Sequence, residues 1–197
     1  MSSLILFGPE LILLALVAVI VIIVAALILI YNSLVGLQKR VENAWSQIDV
    51  QLKRRTDLIP NLIETVKGYA RFEKKVLTDV TAARTAIMSA KSPKESAKAD
   101  NMLSGALKTI FAVAENYPQL RASENFKSLQ EEFSSTENKI AYARQFYNDS
   151  VMSFNTAIAQ FPGNIVSGIF GLRKPKEFFE IAEAEKKPVK ADFSDLA

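Results

Sequence analysis

The chain has 197 residues, 24 of them lysine or arginine and 21 aspartate or glutamate, and it contains neither cysteine nor histidine. Without those two side chains, Cys–His and Ser–His–Asp nucleophile systems, zinc fingers, His-ligated metals and Glu-x-x-His di-iron pairs are excluded, and only carboxylate, lysine or tyrosine chemistry remains. A net charge of +3 with no long block of one sign offers no nucleic-acid face, and seven glycines and seven prolines are few enough to favour long helices.

The first element is Leu11–Ile30, LILLALVAVIVIIVAALILI, twenty consecutive apolar residues. At about 1.5 Å per residue it spans roughly 30 Å, the hydrocarbon thickness of a bilayer. A cleaved signal peptide is disfavoured: no basic residue precedes the run, the run is too long and no A-x-A-like site follows. The stretch is therefore expected to be an uncleaved single-pass anchor. Only Glu10 precedes it among charged residues, whereas Lys39, Arg40, Lys53, Arg54 and Arg55 follow. The positive-inside rule places the N-terminus outside and the remaining chain in the cytoplasm of a cell-membrane protein.

The next segment, Tyr31 to about Tyr69, keeps a heptad. Leu34, Val41, Ile48, Leu62 and Tyr69 form one row, broken only by Arg55, and Trp45, Leu52, Ile59 and Val66 form a second. Pro60 falls inside this pattern and predicts a kink, or a break with Asp57 capping a restarted helix. A second helical segment covers Glu73 to about Ala90, with Val76, Val80 and Ile87 inward. KSPKE, Lys91–Glu95, reads as a loop with Pro93 as its stop signal. A third segment, Ser96 to Tyr117, puts Leu103, Leu107, Ile110, Phe111 and Ala114 on one face. YPQLRAS, Tyr117–Ser123, reads as a turn, and a fourth segment runs to about Gln160.

The expected fold is all-α: one N-terminal transmembrane helix followed by an antiparallel bundle of three to four long helices. Its divisions are a short outer N-terminus at 1–10, the anchor at 11–31, the bundle at 32–160, an apolar and basic return segment with a short helix at 161–183, and a disordered charged tail at 184–197. In the return segment Ile165, Ile169 and Phe170 precede Arg173 and Lys174. The segment either folds back as a loop over the end of the bundle or dips into lipid headgroups, and those five residues are the candidate membrane contacts.

DVQLKRRTDLIPNLIETVKGYA, Asp49–Ala70, has the residue types of an active site. On a helix, however, Lys53, Arg54, Arg55, Asp57, Glu64 and Lys67 point around the axis and converge on no reacting atom. Asp49 and Lys53 are spaced for a solvated i,i+4 pair. The polar residues nearest the apolar rows are Arg55, Asn148 and Asn155, the last two a heptad apart beside Tyr147 and Phe154. Together with Trp45, Ile48, Leu52, Ile59 and Tyr147 they form the candidate bundle or oligomer seam, where a polar residue fixes register or partner. The plain reading of Arg55 is an arginine snorkelling to water. The alternative is a buried polar pocket in which Arg55, Arg84 or Arg144 is held by Glu137 or Glu64.

YNSLV at Tyr31–Val35, VENAWSQIDVQLKRRTDLIPNLIETVKGYA at Val41–Ala70, AENYPQLRASENFKSLQEEFSSTENKIAYARQFYNDSV at Ala114–Val151 and FNTAIAQFPGNIV at Phe154–Val166 resemble the LemA family. The resemblance implies a bacterial-type, single-span membrane protein with a helical bundle and brings no catalytic residues to carry over. It includes relatives associated with magnetosome membranes, which implies work in membrane organisation or remodelling. The expected function is thus a non-enzymatic membrane-anchored scaffold that self-associates, with no cofactor or metal and with the lipid bilayer and further copies of itself as partners. The alternative is an adaptor that presents a bundle face to an unidentified membrane protease, kinase or secretion partner.

Overall fold

The computed structural model describes residues 8–69 and 74–180. The tail assigned to 184–197, the end of the return segment and most of the 1–10 stretch lie outside these residues. Every regular element among the described residues is helical: α1 (Pro9–Asp57), α2 (Ile59–Tyr69), α3 (Lys74–Ser89), α4 (Pro93–Ala114), α5 (Pro118–Ala122), α6 (Glu124–Ala159) and α7 (Gly163–Ile169). The chain divides into two compact units, one of Met1–Glu42 with Ser150–Lys176, the other of Asn43–Asp149 with Glu177–Ala197.

Between α1 and α2 the helix is interrupted at a single residue. α1 ends at Asp57, Leu58 forms the turn, and the Leu62 amide donates to the Leu58 carbonyl at 3.1 Å. Pro60 then sits in the first turn of α2, where a helix needs no amide donor from it. At the break, Asp57 is paired with Lys53 at 3.5 Å, so Lys53 reaches forward along the helix instead of back to Asp49.

Pro93 starts a helix where the sequence suggests a stop. Ser92 is extended (φ −137°, ψ 157°) and its hydroxyl accepts the Glu95 amide at 3.2 Å, while Glu95 Oε2 accepts the Lys91 amide at 2.7 Å. These reciprocal bonds satisfy amides at the start of α4, and Pro93 supplies a fixed φ at its first position. The loop shrinks to three residues, and α3 and α4 pack on each other as a helical hairpin. The stretch read as a turn at 117–123 likewise contains a short helix, α5, opened by Pro118.

The larger unit holds the main core. Ile59, Leu62 and Val66 of α2 meet Val80 and Ala83 of α3, Leu103, Leu107 and Ile110 of α4, and Phe126 and Phe133 of α6. Phe111 presents its edge to Phe126 and Phe133, with ring centroids 5.9 and 6.2 Å away. In the smaller unit Leu34, Val41, Val151, Phe154, Ile158 and Val166 are buried. Both heptad rows of the first segment thus face inward wherever their side chains are described, apart from the half-buried Trp45.

Candidate functional site

The structure places an ion pair inside the larger unit. Arg55 is 1% exposed; its Nη1 donates to Asp100 Oδ1 at 2.7 Å and its Nη2 to Ser104 Oγ at 3.0 Å. Glu137 Oε2 lies 3.5 Å from Nη2 but is half exposed. Arg55 Nε, in contrast, is buried without a hydrogen-bond partner. Burial pushes the Asp100 carboxyl above its ordinary value, against the opposing pull of Arg55. With both side chains buried, the Arg55–Asp100 pair ties α1 to α4.

Arg55 therefore does not snorkel. Glu137 is near Arg55, as the alternative reading expects, but the strong partners are Asp100 and Ser104, which the heptad pattern of the first segment does not reveal. The signal for Asp100 lies in the spacing of α4: the stripe of Leu103, Leu107 and Ile110, carried back at helical spacing, reaches Asp100 and Ser96, both buried. Of the other charged residues considered, Arg84 donates from Nε to the Thr56 carbonyl at 3.1 Å, Arg144 is half-buried and Glu64 is exposed. Ile48, Leu52 and Ile59 are buried.

The asparagines serve the main chain. Asn148 donates from Nδ2 to the Phe179 carbonyl at 3.1 Å and accepts the Phe179 amide at 2.9 Å. Within the smaller unit, Asn155 repeats the arrangement on Lys176, at 2.9 and 2.8 Å. Each side-chain amide thus mimics a strand partner and satisfies a backbone pair of the non-helical residues 172–180, which have no helical ladder to do so. Tyr147 adds a bond from its hydroxyl to the Glu177 carbonyl at 2.8 Å. Burial, with Glu177 nearby, pushes the Tyr147 phenol up to about 12, which keeps it a donor. Trp45 lies between Tyr147 and Phe179, 5.6 and 6.3 Å from their rings.

In the smaller unit, α7 faces inward through Gly163, Val166 and Ser167 and outward through Ile165, Ile169 and, at its end, Phe170. A Cβ on Gly163 would collide with the Ala157 carbonyl oxygen and touch Leu34, so only glycine lets α7 turn this tightly on α6. The Phe170 ring lies 4.7 Å from that of Tyr31, and Arg173 and Lys174 are exposed. Among the described residues no group of three or more His, Cys, Asp or Glu side chains could hold a metal ion.

The class so defined is an all-helical protein whose long first helix is, by length and composition, apolar enough to cross a membrane. The profile of the LemA family matches residues 44–193, and the chain belongs to that family. It is 30% identical over 169 residues to Protein LemA of Metamycoplasma hominis, covering 84% of this chain and 74% of that one. It is also similar to Magnetosome protein MamQ 2 of Paramagnetospirillum magneticum, 24% identical over 83% of this chain and 69% of the relative. Magnetosome protein MamQ of Magnetospirillum gryphiswaldense is 22% identical over 78% of this chain and 66% of its own length.

Proposed function

We propose that this chain is a membrane-anchored, non-enzymatic scaffold that self-associates and organises or remodels a patch of membrane. One observation carries the reading: from residue 11 to residue 26 the apolar run is exposed around its whole circumference, with Leu13 at 62% and Ile22 at 67%. A helix apolar around its whole circumference needs an apolar environment on every side, and a bilayer supplies one. The basic residues that follow it favour a single pass with the N-terminus outside and the bundle in the cytoplasm. The buried Arg55–Asp100 pair supports a structural use of its charges. The similarity to proteins named for the magnetosome supports work on an assembled membrane structure.

A single span does not shape a bilayer, so the reading requires many copies side by side. Its test is the mass of the full-length protein in nanodiscs or native lipid particles at micromolar concentration. A closed assembly or a ladder of oligomers is expected. A strictly monomeric particle ends the scaffold reading and leaves the adaptor, for which crosslinking in cells must recover a stoichiometric second protein.

A further inference from the structure

A short helix on a water-facing surface ordinarily hides its apolar side chains and exposes its polar ones. α7 departs from that order: it buries Val166 and exposes Asn164, but it leaves two of its three bulky apolar side chains, Ile165 and Ile169, outside. Its inner face is built from Gly163, Val166 and Ser167, with the buried Ser167 hydroxyl engaging the Asn164 carbonyl at 3.2 Å. Its outer face carries Ile165 at 52% exposure and Ile169 at 65%, and Phe170 follows at 52%. Such an outer face is expected where the surrounding medium is apolar.

The position of this face is fixed by Tyr31. Tyr31 directly follows the apolar run, at the point where aromatic side chains gather between hydrocarbon and headgroups. The ring of Phe170 rests on it, 4.7 Å between centroids. If the run spans the bilayer, the outer face of α7 is held at the depth of the headgroups. Arg173 and Lys174 then come three and four residues after Phe170, both exposed, where they can meet phosphates.

We propose that α7 is a second membrane element: Ile165, Ile169 and Phe170 enter the boundary between acyl chains and headgroups, and Arg173 and Lys174 hold the phosphates of anionic phospholipids. The proposal rests on the membrane-anchor reading above. It makes the smaller unit a two-point attachment in which the span sets depth and α7 sets which side of α1 faces the lipid surface.

The chain contains no cysteine, so single nitroxide labels can be introduced without background. Labels go at Ile169→Cys, at Val21→Cys within the run, and at Met88→Cys, which is 67% exposed on α3. The full chain is reconstituted in vesicles of phosphatidylcholine with phosphatidylglycerol, and label depth is read from the ratio of oxygen to nickel-chelate accessibility. The expected order is Val21 deepest, Ile169 intermediate and Met88 aqueous, with Ile169 moving toward the Met88 value in pure phosphatidylcholine or in R173Q/K174Q.

A deep Val21 label with Ile169 matching Met88 overturns the proposal and leaves the anchor standing. A Val21 label as accessible as Met88 overturns both. An intermediate Ile169 label that ignores lipid charge and R173Q/K174Q removes the role given to the basic pair.

Discussion

Arg55 and Asp100, 45 residues apart in the chain, meet at 2.7 Å with side chains 2% and 7% exposed. Such a pair contributes through what its loss would strand: removing one member leaves an uncompensated buried charge, at a cost of roughly 3–5 kcal/mol. Arg55→Met in the full chain should therefore lower the denaturation midpoint sharply. The double variant R55M/D100L should recover most of the loss, because it restores an apolar interior. If the double variant is as weak as R55M, the pair has a role beyond mutual neutralisation.

The same carboxyl predicts a pH dependence. Its folded-state value is raised, first by burial, above the ordinary 3.8. The folded form therefore binds the proton more readily than the unfolded form. The stability that Asp100 contributes is fully present below the unfolded value and is lost as pH rises through the folded one. The difference in unfolding free energy between wild type and D100N should fall as pH rises from the unfolded value through the folded one. A difference that grows with pH would show instead that attraction to Arg55 outweighs burial.

Each asparagine clamp is testable at one amide. Asn148→Ala should expose the Phe179 amide to hydrogen exchange, and Asn155→Ala the Lys176 amide. Loss of the paired bonds weakens local closure by about 1–3 kcal/mol. Protection elsewhere in the core, as at Leu107 or Phe133, should stay unchanged. Global loss of protection would mean that residues 172–180 are part of the folding core.

Two glycines in one short helix should respond in opposite directions. Gly163→Ala sets a methyl against the Ala157 carbonyl and should destabilise by about 1–3 kcal/mol. Gly168→Ala meets open space and should be neutral or stabilise slightly, by up to about 1 kcal/mol. Thermal unfolding of the two full-length variants in detergent checks this. Equal effects would show that α7 is not held against α6 as described.

The helices were legible because apolar spacing is a local signal. Leu34, Val41, Ile48, Leu62 and Val66 all read inward from the sequence and all are buried. Pro60 located the α1–α2 break for the same reason. Pro93 reads as a stop in the sequence and opens a helix in the structure, because proline is allowed in the first turn of a helix as readily as after its end, and the cap is supplied by Ser92. Arg55 stood out as an interruption in an apolar row, but its partner lies on another helix 45 residues away, a distance that periodicity does not bridge. The use of Asn148 and Asn155 was hidden more deeply, since the groups they bind are main-chain atoms that leave no mark on composition.

A clamp that grips only main-chain atoms is indifferent to side chains but strict about imino acids. Pro175 is accepted because the amide received by Asn155 belongs to Lys176, one residue later. Exchanging those two neighbours would keep composition, charge and hydropathy unchanged and still delete the bond. Position 176 is therefore closed to proline alone as far as the clamp is concerned, whereas position 179 is closed to proline and also held to a large apolar side chain, because Phe179 is 1% exposed and packs beside Trp45.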